Sequence, residues 1–428
     1  MIFDKFSLPM KILIKQATVV CPDSVHHLLQ KDILIVDGKI TSIEDAIDED
    51  NAIIITNEKL FVSIGWLEIM ADFADPGYEH RETIETGAQA AVNGGFTDVM
   101  ILPNTRPAAS TKAQIEYIVQ KSKGLPINIH PIGSITKNCE GEELAEMYDM
   151  TESGAVAFSD GTHSIKKENI LIKSLQYHLA TGKTIIHLPA SAQFNDHGLM
   201  SEGIQSTRLG LPGMPAIAEE LMIVRDIEIA KYTAGRLHIS GISTKKGLEI
   251  ALQAVVENDN LSFSIVPQQL WFTDEQLGSY DTNFKLLPPL RTESDRAFLL
   301  EKAKEGKIKC FTSLHLPAHD DEKDCEFEYA AFGNIGLETL FSALFTAGIS
   351  VENIVEALTV NGRNIFGLPI PILEENSEAC LTLFTTAGNK KYDAKKTASL
   401  SANSAFDGVE LKGKVLGIIN KGQFFDAI

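Results

Sequence analysis

A chain of 428 residues with 38 Lys+Arg against 58 Asp+Glu carries a formal net charge of −20. That balance speaks against a nucleic-acid or anionic-membrane partner, and the length predicts one large domain plus a small one. The five cysteines, Cys21, Cys139, Cys310, Cys325 and Cys380, show no C-x-x-C spacing. They suggest neither a zinc knuckle nor a disulfide framework and are expected to be reduced thiols. No stretch reads as a bilayer span, and the first twenty residues lack the apolar core of a signal peptide, so a cytoplasmic location is expected.

In chain order, Lys11-Ile12-Leu13-Ile14 and Asp32-Ile33-Leu34-Ile35-Val36 read as strands, with Asp37-Gly38 as a hairpin turn before Lys39-Ile40. From about residue 370 the texture is the same, with Leu381-Thr382-Leu383-Phe384 and Lys414-Val415-Leu416-Gly417-Ile418-Ile419 separated by polar turns. Between these ends, strand and helix signals alternate. The predicted strands are 67–72, 98–102, 127–132, 155–159, 184–188, 236–240, 262–266 and 307–312. Helices are predicted over 114–122, 142–150, 168–179, 217–232, 246–257 and 294–305, where apolar residues recur at three- and four-residue spacing. Strands separated by helices imply right-handed crossovers and a parallel sheet, and eight such strands predict an α/β fold with a closed (β/α)8 TIM-like barrel. No Gly-rich dinucleotide fingerprint follows the first strand, which disfavours an open doubly wound sheet.

The most informative stretch runs from Leu67 to Pro107. It contains a strand, the Pro76-Gly77 turn, an Ala-rich helix opening Glu82-Thr83-Ile84-Glu85-Thr86-Gly87 and closing at Gly94-Gly95, a second strand, and the loop Pro103-Asn104-Thr105-Arg106-Pro107. This run resembles the opening signature of the dihydroorotases within the amidohydrolase superfamily. Further matches are Gly210-Leu211-Pro212-Gly213, Ala218-Glu219 and Phe332-Gly333 through Gly336-Leu337-Glu338-Thr339. The resemblance extends from about residue 10 to residue 420. It implies that both chain ends form one small β-sandwich, residues 1–62 with 370–428, around a barrel of residues 63–369.

The departures fall where the family keeps its chemistry, at the carboxyl ends of the barrel strands. In the family the first strand carries Asp-x-His-x-His-x-Arg, two histidines for metal and an arginine for the substrate carboxylate; here the positions read Glu68, Met70, Asp72 and Ala74. After the fourth strand, Phe158-Ser159-Asp160-Gly161 keeps the first aspartate, a metal ligand in the family, and loses the second acidic residue. His187, ending the fifth strand, aligns with a metal ligand, whereas the histidine of the sixth strand is Gly241. Past the seventh strand, Gln268-Gln269 replaces His-His and Leu287 replaces the asparagine before Pro-Pro-Leu-Arg. The eighth strand ends Ser313-Leu314-His315-Leu316-Pro317-Ala318, then His319, where the family has Thr-Asp-His-Ala-Pro-His. Its acid/base aspartate has become Leu314, leaving no catalytic residue, and its substrate histidine has become Ala318.

The loss has a size. A catalytic metal lowers the pKa of its bound water from ~15.7 to ~7, worth on the order of 12 kcal/mol of activation. The resemblance with these departures implies an inactive dihydroorotase-like protein, without a cofactor, acting as a partner or scaffold subunit for aspartate carbamoyltransferase and forming a homodimer. Asn104, Ala74, Ala318 and Leu287 are its vestigial substrate-binding positions. The alternative is a working cyclic amidohydrolase with one zinc on Asp72, Asp160 and His187; with His315 and His319 nearby, varied ligand sets remain open. A sensor that uses the emptied pocket is a third reading, resting on Asn104 alone. The run from Asp320 to Asp324 is expected to be a solvated mobile loop.

Overall fold

The computed structural model describes residues 10–190 and 197–427. Residues 1–9 and Ile428, assigned above to the small domain, lie outside them. At the amino end β1 (Lys11–Val19), β2 (Gln30–Val36) and β3 (Lys39–Glu44) pair antiparallel. Asp37 and Gly38 turn between the last two with φ of 48° and 80°, the positive pair that matches strand twist in a two-residue hairpin. Short β4 (Ile53–Ile55) and β5 (Leu60–Ile64) add to β1 in parallel.

A parallel sheet follows. Its seven strands, hydrogen-bonded in chain order, are β6 (Trp66–Ala71), β7 (Phe96–Ile101), β8 (Asn128–Gly133), β9 (Ala157–Phe158), β10 (Thr184–His187), β11 (Leu237–Ile239) and β12 (Leu261–Phe263). The main intervening helices are α1 (Ile84–Asn93), α2 (Lys112–Lys121), α3 (Met147–Glu152), α4 (Glu168–Thr181), α5 (Ala216–Thr233) and α6 (Lys245–Glu257), with α7 (Glu293–Lys304) after β12. Helix α1 starts where Thr83 and Thr86 cap each other, the Thr86 amide donating to Thr83 Oγ1 at 3.1 Å and the Thr83 amide to Thr86 Oγ1 at 3.0 Å.

Two expectations need correction. The helix predicted over 142–150 begins only at Met147, because Asn138, Cys139 and Gly141 take positive φ (54°, 58° and 74°) and the preceding chain folds as a tight loop. The eighth strand, predicted over 307–312, forms no ladder. It makes single parallel bridges, Phe311 to Ile265 on one side and His315 to Ala71 on the other, and so spans the gap between the two edges of the curled sheet. Buried Glu68 diverts it by accepting Thr312 Oγ1 at 2.5 Å and the Ser313 amide at 2.8 Å, and Leu314 then turns with φ 41°. Burial raises the Glu68 carboxyl, so this clamp is held in a dry setting.

At the carboxyl end β13 (Leu381–Lys391) pairs antiparallel with β5, and β14 (Glu410–Asn420) and β15 (Gln423–Asp426) extend it. The two chain ends therefore share one eight-stranded sheet. The acidic run expected as a loop contains one helical turn, Asp320–Lys323, with Lys323 turned inward and its Nζ donating to Thr282 O at 2.9 Å and Ala331 O at 2.8 Å. No helix among the described residues is long and apolar enough to cross a membrane.

Candidate functional site

The carboxyl ends of the strands meet over an apolar interior. Met70, Met100, Leu102, Ile132, Ile186, Val266, Leu314 and Leu316 belong to one buried cluster inside the sheet. Met70 and Leu314 thus put a weakly donating thioether and a hydrocarbon at the positions that the resemblance aligns with a ligand and an acid/base group. The space left among Val266, Gln268, Leu287, Leu314 and Leu316 is ≈ 10 Å³. That is room for about one water, against roughly 300–1,000 Å³ for small-molecule pockets. Gln268 Oε1 and Ser313 Oγ border this space and have no hydrogen-bond partner.

The three candidate ligands each serve the scaffold. His187, ending β10, is buried; its Nδ1 lies 2.5 Å from Asp226 Oδ2 on α5, and its Nε2 accepts the Ile165 amide at 2.8 Å. Accepting at Nε2 assigns the ring proton to Nδ1, and both nitrogens are used. Arg225 Nη2 donates to Asp226 Oδ1 at 2.7 Å and completes the group. Asp160 Oδ1 accepts the Ile135 and Thr136 amides, each at 2.9 Å, and its Oδ2 accepts Thr136 Oγ1 at 2.5 Å. Asp72 Oδ1 accepts the Ala74 amide at 2.7 Å, and burial pushes its carboxyl up to about 6.

The neighbouring positions are equally committed. Gly241 has φ 73°, and a Cβ there would lie 3.0 Å from Leu188 Cδ1 and 3.2 Å from Pro288 Cδ. Gly161 has φ 62°, and its Cβ would fall 1.6 Å from Asn104 Oδ1. Asn104 itself ties two loops together: its Nδ2 donates to Asp160 O at 3.1 Å, and its Oδ1 accepts the Thr162 amide at 3.3 Å. Ala74 and Ala318 are buried, the latter donating its amide to Asn403 Oδ1 at 3.0 Å, and Leu287 is half-buried. His238 lies between Ser262 and Ser264, and burial lowers it to about 3.

A catalytic zinc takes three protein ligands and an open position. The donor set does not fit that requirement: the Nε2 lone pair of His187 is taken by a backbone amide, and Asp160 already accepts three hydrogen bonds from the Ile135–Thr136 turn. Among the described residues no group of three His, Cys, Asp or Glu is arranged to hold a metal ion. Sequence reasoning missed the partners that make the set structural. Asp226 was findable, since it falls on the inward face of α5 with Met222, Ile223, Ile227 and Ala230. Glu82 was not; it is buried, lies 3.4 Å from His315 Nε2 and accepts the Leu400 amide at 3.1 Å, a residue far along the chain.

Comparison with known proteins places this scaffold. The family profile described as Dihydro-orotase-like matches residues 58–247. The dihydroorotase of Pelotomaculum thermopropionicum is 37% identical over 411 residues, covering 94% of this chain and 96% of its own. The chain belongs to the dihydroorotase-like family. A second dihydroorotase, from Caldicellulosiruptor saccharolyticus, is 37% identical over 423 residues, with 96% and 97% coverage. Among solved structures, the L-hydantoinase of Arthrobacter aurescens superposes on this dihydroorotase-like chain with a TM-score of 0.84 at 22% identity, covering 96% of this chain and 95% of its own. The dihydropyrimidinase of Brevibacillus agri gives 0.80 at 18% identity, with 97% and 95% coverage. These structures share the amidohydrolase-type fold.

Proposed function

We propose that this chain is a dihydroorotase-like protein of pyrimidine biosynthesis that does not open the dihydroorotate ring and serves as a partner or scaffold subunit for aspartate carbamoyltransferase. The observation that carries the first half is the mouth of the sheet, where Met70 and Leu314 fill the interior while His187 and Asp160 are hydrogen-bonded inside the protein. The second half rests on family resemblance: an intact scaffold with its chemistry replaced retains surfaces for assembly. In this reading the chain is cytoplasmic, needs no zinc, and folds its two ends into a small β-sandwich beside the barrel.

Two measurements test it. Purified protein is assayed for dihydroorotate ring opening with and without added zinc, and no turnover is expected. It is then mixed with aspartate carbamoyltransferase and followed by size-exclusion chromatography and transferase activity, where co-elution or altered activity is expected. Zinc-dependent turnover would overturn inactivity; absence of both co-elution and any change in the transferase would overturn the scaffold role.

A further inference from the structure

The amino ends of the strands, opposite the filled mouth, border the space that the mouth lacks. Strands β7 and β8 pair with Asp98 beside Asn128 and Met100 beside His130. Side chains alternate along a strand, so Asp98, Asn128 and His130 stand on the face that carries buried Met100. These three line a cavity of ≈ 440 Å³, closed on its other side by the chain at 369–380. That volume lies within the roughly 300–1,000 Å³ of small-molecule pockets, whereas the mouth offers ≈ 10 Å³.

The polar floor of the cavity is fixed from behind. Asp98 Oδ1 accepts His130 Nε2 at 2.9 Å and Asn128 Nδ2 at 3.1 Å, and its Oδ2 accepts Arg363 Nη2 at 2.7 Å and Thr97 Oγ1 at 2.8 Å. Burial opposes the charge on Asp98, but His130 and Arg363 hold its carboxyl far below the usual carboxylate range. An ionised Asp98 assigns the Nε2 proton to His130, which leaves Nδ1 of the neutral ring as an acceptor. Asn128 keeps its Oδ1 and one Nδ2 hydrogen, and Ser377 keeps its hydroxyl. Among the described residues none of these atoms has a protein partner.

Charge at the cavity is already matched, Asp98 against Arg363 at 2.7 Å and Glu378 at the rim against Lys39 at 3.7 Å. The walls are apolar: Pro369 and Pro371 alternate with Ile370 and Ile372, which are 37% and 57% exposed. Cys380 also lines the space, and burial pushes its thiol up, which withholds the nucleophilic thiolate. Barrel enzymes keep their catalytic groups at the other end of the strands. The arrangement is therefore one for binding, not for turnover.

We propose that this cavity binds a neutral planar heterocycle carrying a hydrogen-bond donor and an acceptor side by side on one edge, the class to which nucleobases belong. The Asn128 amide presents the complementary pair, as side-chain amides do to the edge of adenine. His130 Nδ1 and Ser377 Oγ add an acceptor and a hydroxyl, and the proline and isoleucine side chains cover the faces of the ring. Ser377 O also accepts the Ile40 amide of β3 at 2.9 Å, so the ligand would sit where the barrel floor meets the amino-terminal hairpin.

Saturation-transfer NMR of the full chain with millimolar adenosine or uridine is expected to show transfer to the base protons of at least one of them, and none to benzoate, a flat anion. Ile372→Glu, at an exposed position, is expected to weaken that binding by about tenfold or more with unchanged circular dichroism. No transfer to either nucleoside, equal transfer to benzoate, or full binding by folded Ile372→Glu overturns the proposal. Should Ile372→Glu fail to fold, the methyl resonances of Ile370 and Ile372 in labelled wild type, assigned through Ile→Val variants, decide. They are expected to shift on adding the bound nucleoside, and unmoved methyls overturn the proposal. The cavity lies away from the mouth, so the result is independent of the ring-opening and transferase experiments.

Discussion

Replacing Asp72 with Asn keeps the shape of the side chain and the acceptor for the Ala74 amide while removing a buried carboxyl whose pKa is raised from 3.8 to about 6. Because the folded-state value is the higher one, the native protein holds more protons than the unfolded chain between pH ~4 and ~6. Stability from this group is therefore present below the unfolded value and is lost as pH rises to the folded value, then stays level. At about 1.4 kcal/mol per tenfold, ionised Asp72 costs the native state on the order of 3 kcal/mol at pH 7. Asp72→Asn is expected to be more stable than wild type by up to that amount at pH 7.5, and by roughly half of it at pH 5. Urea unfolding at both pH values reads the difference. A metal held by Asp72 would reverse the sign, since the cation favours the carboxylate and Asn would weaken its hold. A variant less stable than wild type at pH 7.5, or a gap that does not narrow on acidification, would refute the reasoning.

Leu314→Asp returns the family carboxyl to a dry, filled position; unfolding titrations are expected to show a loss of about 3–5 kcal/mol, and the variant no ring opening of dihydroorotate. Asp226→Ala leaves His187 Nδ1 and Arg225 without their shared partner and is expected to cost about 3–5 kcal/mol, with zinc content by elemental analysis unchanged. Gly161→Ala meets both a φ of 62° and Asn104 Oδ1 at 1.6 Å, so thermal unfolding should report a loss of about 1–3 kcal/mol or more. Added zinc at micromolar concentration should leave the unfolding midpoint in place, whereas a site at 100 times its Kd would add about 2.7 kcal/mol.

The alternation of apolar strands with amphipathic helices was legible because strands buried on both faces read as short apolar runs; the segments at 67–72 and 98–102 appear in the structure as β6 and β7, buried at every position. Legibility failed where a local run was overruled from a distance. Residues 307–312 have the composition of a strand, but Glu68 takes Thr312 and Ser313 out of the ladder across 244 and 245 residues of sequence. At the candidate site the sequence named the changed positions and could not say what had become of those retained. His187 and Asp160 look like ligands in one dimension. Their commitment to Asp226, Ile165, Ile135 and Thr136 depends on loops brought together only by the fold.

That commitment bears on whether the site is merely missing residues. A histidine at position 241 would have to accept φ 73° and push against Leu188 and Pro288, and a histidine at position 70 would put an imidazole among Met100, Ile132 and Ile186. Each reversion alone removes packing and returns no ligand set, since a metal rewards only the complete arrangement; the effects are coupled, and single steps run uphill. The retained devices show the opposite dependence. Glu219 accepts the Ser243 and Thr244 amides at 2.9 Å each, and Arg291 donates to Met214 O at 2.9 Å and Ser243 Oγ at 3.0 Å, bonds that stabilise the fold with or without a cation. Asp160 and His187 make hydrogen bonds of the same kind, which likewise stabilise the fold without a cation.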